Sequence, residues 1–242
     1  MAVDLSRCPS DAYNQRVEDR DAGQDSFRDL TLAEFVRRLA SAEPVPGGGS
    51  AAAVVAGLGA GLLTMVASLS IGREKFAEHA DTLESAVATG RRLADRFLVL
   101  ADQDAAAFAG YGAALRRPRE TQAERDERAR AIAAAARTAT EVPAACVESC
   151  LDLAFAVESI AGRSNANASS DLVVAALFAD AAAQAAAANV MVNVPSVADQ
   201  GWAGETIARV VEVLAAVEDL ASITRQTVGS GRARPPVRRD GN

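Results

Sequence analysis

Lysine and histidine are almost missing from this chain of 242 residues. Lys75 and His79, both within SIGREKFAEH (residues 70–79), are the sole examples, so twenty-four of the 25 basic residues are arginine. With aromatics at 4% and hydrophobic residues at 50%, the core must be built from small aliphatic side chains, and the chain is long enough to bury it as one domain. No basic excess exists: the formal charge is −7, which argues against a general nucleic-acid or anionic-membrane surface, so any anionic ligand must be held by particular residues. The three cysteines, Cys8, Cys146 and Cys150, are odd in number and lack disulfide spacing, which suits a reducing cytoplasm. Cys146 and Cys150 share a helical face without a nearby histidine and are expected in the core rather than on a metal. The N-terminal stretch has no apolar run, so no signal peptide is expected. Ser-His-Asp and Cys-His arrangements are not evident, and His79 reads as a residue of a solvated turn, which argues against covalent nucleophilic catalysis.

Strand-period alternation and internal repeats are also missing, and what remains is helical punctuation. Thr31 with Glu34 forms a capping-box pattern ahead of Leu32, Phe35, Val36 and Leu39, giving a first helix that ends before Pro44. The loop EPVPGGGS (residues 43–50) leads into residues 50–72, which carry no charge. That run is long enough to cross a bilayer. Its Gly57, Gly59 and Gly61 among many small residues instead suit a helix packed tightly inside a protein. A third helix is expected over 77–115, and Thr121 with Glu124 opens another that runs through Pro143, with a kink there, to about Ile160. A polar loop, SNANASSD (residues 164–171), precedes a helix from Asp171 to about Met191. After Pro195, Ile207, Val210, Val211, Leu214, Val217, Leu220 and Ile223 mark a last amphipathic helix. The expectation is an all-α antiparallel bundle over residues 29–228, between disordered tails at 1–28 and 229–242.

Four features break this pattern. Pro46, Gly47, Gly48, Gly49 and Ser50 make a glycine-rich turn before a helix, which suits an anion or carbonyl ligand or serves only as a connection; no Gly-Lys-Ser/Thr follows, so it is not a phosphate-binding P-loop. At about 100° per residue, Asp104 shares one face with Phe97, Ala101 and Phe108, whereas Asp102 projects away. A carboxylate inside an apolar stripe must meet a cation, several donors or a helix end. Asn165, Asn167, Ser169, Ser170 and Asp171 crowd the start of a nearly uncharged helix, as ligands or as caps. Asn189 and Asn193 stand one turn apart at its end, where they could bind or satisfy backbone groups.

PGGGSAAA, GREKF, DQDAAAF, SNANASSDLVVAA and NVMVNV, in this order, resemble the cyclodeaminase/cyclohydrolase family of tetrahydrofolate enzymes, over residues 30–228. The resemblance implies an all-helical, cytoplasmic homodimer that binds a folate, with no metal, nucleotide, nucleic acid or membrane partner and no cofactor beyond its tetrahydrofolate substrate. No counterpart of the formiminotransferase half is matched, so substrate is expected by diffusion or from a separate partner. The family's motif positions carry onto Pro46, Gly47, Gly48, Gly49, Ser50, Arg73, Lys75, Phe76, Asp102, Asp104, Phe108, Asn165, Ser170, Asp171, Asn189 and Asn193. This chain departs from the pattern at Ile71, where tyrosine is frequent, and at Ser164, where glycine is. The implied chemistry occurs at the carbon bridging N5 and N10: water adds to a methenyl cation, or a formimino group closes with loss of ammonia. Asp104, Asp171 and Lys75 are the expected proton-handling residues, because a carboxylate among apolar groups and a lysine can both shift their pKa. Pro46 to Ser50, Arg73, Asn165, Ser170, Asn189 and Asn193 are expected to hold the substrate. The competing reading is a non-catalytic folate-binding or scaffold protein.

Overall fold

A computed structural model describes residues 26–237, and among them six α-helices carry the architecture. They are α1 (Leu32–Leu39), α2 (Gly48–Ser68), α3 (Ala80–Leu115), α4 (Gln122–Ser159), α5 (Ser169–Asn193) and α6 (Gln200–Ser230). Short 3₁₀ turns stand at Phe27–Asp29, Glu74–His79, Ala166–Ala168 and Val194–Ser196. Thr31 caps α1 by accepting from the Glu34 N–H, and Thr121 and Glu124 close the expected capping box on α4. The expected all-α bundle is what the chain forms.

Helix α2 packs against α3 and α5, while α4 packs against α3, α5 and α6. Small residues set these distances. Ala53, Ala56, Ala60 and Ala67 of α2 and Ala175, Ala179, Ala182, Ala183 and Ala186 of α5 are buried. At Gly90 of α3, an added Cβ would meet the Thr64 hydroxyl and come within 2.9 Å of the Ala60 carbonyl, so the α2–α3 contact demands glycine there. Larger groups fill the remaining space: Leu63, Leu83, Leu93, Phe97, Leu153 and Ile160 are fully buried, each contributing about 1.5–3 kcal/mol over an exposed position. Cys146 and Cys150 are likewise buried and unpaired, as core residues.

Several boundaries move from the sequence expectation. Helix α2 starts at Gly48, before Ser50, and α3 starts at Ala80 because the Glu74–His79 turn intervenes. Most of the expected N-terminal tail lies outside the described residues, but its last residues are packed. Phe27 is buried edge-on against Phe35, the Ser26 hydroxyl donates to Asp102 Oδ2 (2.6 Å), and the Phe27 N–H donates to Asp102 Oδ1 (2.8 Å). At the other end α6 continues to Ser230, and the following segment folds back so that the Val237 N–H donates to buried Glu158 (3.1 Å). Residues 238–242 lie outside the described residues.

Pro143 lies within α4 and has no N–H to give to the Ala139 carbonyl four residues earlier. That carbonyl instead accepts from Asn193 Nδ2 at 2.7 Å. Asn193 therefore does for α4 what the proline cannot. Asn193→Ala should cost about 1–3 kcal/mol in urea unfolding, the usual penalty for a carbonyl left without a donor. In a Pro143→Ala background, where a backbone N–H is restored, the same substitution should cost clearly less. Equal costs in the two backgrounds would contradict this pairing.

Candidate functional site

The N-terminus of α2 has no side-chain cap of its own, because Gly47 occupies the N-cap position. A carboxyl from α3 takes that place. Asp104 lies against Gly49 so closely that a Cβ at residue 49 would collide with both carboxyl oxygens. The fully buried Ser50 hydroxyl stands 2.8 Å from Asp104 Oδ2 and 3.1 Å from the Ala101 carbonyl. A hydroxyl has one proton for two such acceptors. Ser50 donates to the ionised Asp104, and when Asp104 is protonated the carboxyl donates to Ser50 Oγ and Ser50 donates onward to Ala101, so the contact accommodates both protonation states.

Solvation shifts the balance between these two states. Burial pushes the Asp104 pKa above its ordinary value of 3.8, and hydrogen bonds from Ser50, by hydroxyl and by backbone, pull it back only in part. The sequence placed Asp104 on an apolar stripe, and the structure gives it the helix end as its polar partner. Phe108, 47% exposed, lies one turn further along α3 on that side.

A second polar group gathers beyond the opposite end of α2. The Asn165 N–H donates to the buried Ser70 hydroxyl (2.8 Å), which ties the SNANASSD loop to the chain just before Arg73 and Lys75. Asn165 and Asp171 are half-buried, and Arg73, Lys75 and Ser170 are exposed. Among the described residues Lys75 meets no carboxylate; its Nζ lies 5.5 Å from the Phe76 ring centre. His79 sits at the N-cap of α3 within 3.5 Å of Glu78.

Within one chain these groups stand in two separate clusters. Ser50 and Ser70 are separated by about 30 Å at 1.5 Å rise per residue. Gly59, near the middle of α2, faces Ala175 and Phe178 of α5, and Ser70 beyond the end of α2 meets Asn165 ahead of the start of α5, so the two helices run antiparallel. Asp171 thus lies toward the Lys75 end, and Asn189 and Asn193 toward the Ser50 end. The two asparagines are bonded to backbone: Asn189 Nδ2 to the Ala185 carbonyl (2.9 Å), and Asn193 to Ala139. Asp102 holds the Ser26–Phe27 turn. The Asn193 role had a sequence signal, since Pro143 leaves an acceptor free, whereas nothing in the spacing showed that Asp104 would need Gly49.

Because the raised Asp104 pKa means that the folded state holds its proton more tightly than the unfolded chain, stability is lost as pH rises through the folded-state value. Asp104→Asn mimics the protonated form and should be more stable than wild type at pH 7 in thermal unfolding. The advantage should close as pH falls below 3.8, where both states of the wild type are protonated. An advantage independent of pH would contradict a raised pKa.

Comparison with known proteins places this geometry in a family. The family described as formiminotransferase-cyclodeaminase matches residues 31–212. The methenyltetrahydrofolate cyclohydrolase of Methylorubrum extorquens is 35% identical over 200 residues, covering 83% of this chain and 96% of that protein. The mouse formimidoyltransferase-cyclodeaminase is 33% identical over 211 residues, 87% of this chain but 38% of that longer protein. Among solved structures, the formiminotetrahydrofolate cyclodeaminase of Thermotoga maritima has the same fold, with a TM-score of 0.76 over 84% of this chain and 98% of that one at 24% identity. A bundle with a carboxyl seated on a glycine-rich helix start, matched over most of its length, belongs to the formiminotransferase-cyclodeaminase family.

Proposed function

We propose that the protein is a folate one-carbon enzyme of the cytoplasm that hydrolyses 5,10-methenyltetrahydrofolate. The observation that carries this reading is the Asp104 carboxyl, seated on Gly49 and Ser50 with its pKa raised by burial. The near full-length match to a cyclohydrolase favours water over ammonia chemistry. In the first step a water oxygen bonds to the cationic bridge carbon, and its proton passes to Asp104 as the cation is neutralised. The bond from that carbon to one ring nitrogen then breaks, the nitrogen takes a proton, and the carbinol loses its own to become a formyl group. Overall one proton is released. A carboxyl with a raised pKa suits both proton steps and, when ionised, stabilises the cation beside it. The second reading, ring closure of a 5-formimino group with expulsion of ammonia, rests on the 33% identity to the bifunctional mouse protein and passes through the same bridged carbon.

We further propose that the active unit is an antiparallel pair of chains. Leu58, Met65 and Leu69 form an apolar stripe on the outer side of α2, 52%, 39% and 41% exposed, on a helix that carries no charge. A two-fold related copy laid against this stripe covers it and sets the Ser50–Asp104 end of one chain beside the Lys75–Asn165–Asp171 end of the other. In that pairing Arg73 and Lys75 supply cations, and Asp171, Ser170 and Asn165 supply acceptors and donors, to a folate whose reacting carbon stands at Asp104. Pro46 to Gly48 shape the helix start beside it.

Adding the protein to methenyltetrahydrofolate should abolish the methenyl absorbance enzymatically. Asp104→Asn should lower kcat by about 10²-fold or more, the usual scale of general acid–base catalysis. Lys75→Arg and Lys75→Met should both lower kcat if the lysine handles a proton, whereas a tail anchor would tolerate arginine and change mainly KM. Wild-type decay rates with Asp104→Asn would remove Asp104 from the chemistry, and no decay with the intact protein would leave the cyclohydrolase reading without support.

A further inference from the structure

Helix α6 ends at Gly231, whose left-handed backbone (φ +64°) lets its N–H bond to the Thr227 and Val228 carbonyls and turns the chain out of the helix. Pro235 and Pro236 then keep the exposed segment 231–237 extended, since neither has an N–H to give to a helix or a strand. This segment lies past residue 212, where the family match ends, and it crosses the junction between α4 and α5 at two points. At the first, Ala233 sits on Gly162, which is itself left-handed (φ +73°). A Cβ at residue 162 would come within 2.8 Å of Ala233 Cα and 2.9 Å of Ala233 N, so both conformation and room require glycine there. At the second, the Val237 N–H donates to Glu158 Oε2 (3.1 Å).

Glu158 gives the second contact its meaning. It is 2% exposed and lies in the last turn of α4, where the helix dipole favours a cation over a carboxylate. Arg163, the buried cation nearest to it in sequence, gives its Nη1 to the Ser159 and Ala161 carbonyls. A buried carboxyl in such a place needs a donor, and the backbone of the crossing segment supplies one. Three residues beyond Gly162, the Asn165 N–H donates to the Ser70 hydroxyl (2.8 Å). The connection from α4 to α5 is therefore held from inside by the end of α2 and from outside by segment 231–237, and it leads directly into Asn165, Ser170 and Asp171. We propose that segment 231–237, anchored on Glu158, is a positioning strap: it fixes the loop that presents Asn165, Ser170 and Asp171 to the substrate. The proposal rests on the folate reading for its ligand, while the strap's hold on the loop stands without it.

The test uses the full chain. In the wild type the Val237 and Asn165 amides should both exchange slowly with deuterated water, read by NMR. Val237→Pro deletes the donor at a residue 40% exposed, without touching the core, and Glu158→Ala deletes the acceptor. Both should speed exchange at Asn165 and raise KM for methenyltetrahydrofolate about fivefold, the scale of one lost hydrogen bond, with kcat little changed. Glu158→Gln retains an acceptor oxygen and should keep Asn165 protected and KM near wild type, which separates the anchor from a general loss of structure. Should Glu158→Ala fail to fold, Val237→Pro still decides. Faster Asn165 exchange in Val237→Pro, with no methenyl turnover by the wild type, would keep the strap and remove the proposed reaction. Fast Val237 exchange in the wild type, Asn165 protection indifferent to Val237→Pro, or a loosened loop with an unaltered KM would overturn the proposal.

Discussion

A helix of twenty-one residues without a charged side chain has to be covered, and the rest of this bundle is arranged around that requirement. Alanine and glycine let α3 and α5 approach α2 closely on two sides, and Gly90 shows how little room is left there. The Ser50–Asp104 pair and the Ser70–Asn165 pair thereby stand at the two ends of α2. The stripe of Leu58, Met65 and Leu69 remains partly exposed among the described residues. Both the separation of these two pairs and the exposed stripe follow from one cause, a long central helix without charge.

At the Ser50 end, packing and chemistry are the same contact. Removing every side-chain atom from residue 49 lets the Asp104 carboxyl reach the helix start, where the Ser50 hydroxyl meets it, and the same closeness strips water from the carboxyl and raises its pKa. A helix end normally stabilises the ionised form of a carboxylate. Here desolvation outweighs it, and the Asp104 pKa is raised rather than lowered.

Much of the fold was legible in the sequence because its signals are local. Thr31 and Thr121 each have their glutamate three residues on, and both start helices. Glycines at 48 and 49 look like loop in the sequence, while the Asp104 contact makes one of them necessary in the helix. The Phe27 turn reads as tail in the sequence because its anchor, Asp102, lies 75 residues away. For the site, periodicity placed Asp104 on an apolar face but could not name its partner, which is a relation between two helices. Periodicity likewise carries no information on whether polar groups far apart in sequence meet within one chain or across two. Asn193 shows the alternative, a polar side chain accounted for by the backbone group that Pro143 leaves open.

The central claim is that a working site draws Asp104 from one chain and Lys75 from another. Subunit complementation tests it most directly: inactive Asp104→Ala and Lys75→Met proteins are mixed, dissociated, reassociated and assayed for loss of the methenyl absorbance. If sites are shared across an antiparallel pair, each mixed dimer has one site with both residues intact, and statistical reassociation restores about one quarter of wild-type activity. Activity that stays at the level of the separate variants, in dimers shown to have exchanged subunits, would mean that each chain carries its whole site and would contradict the account.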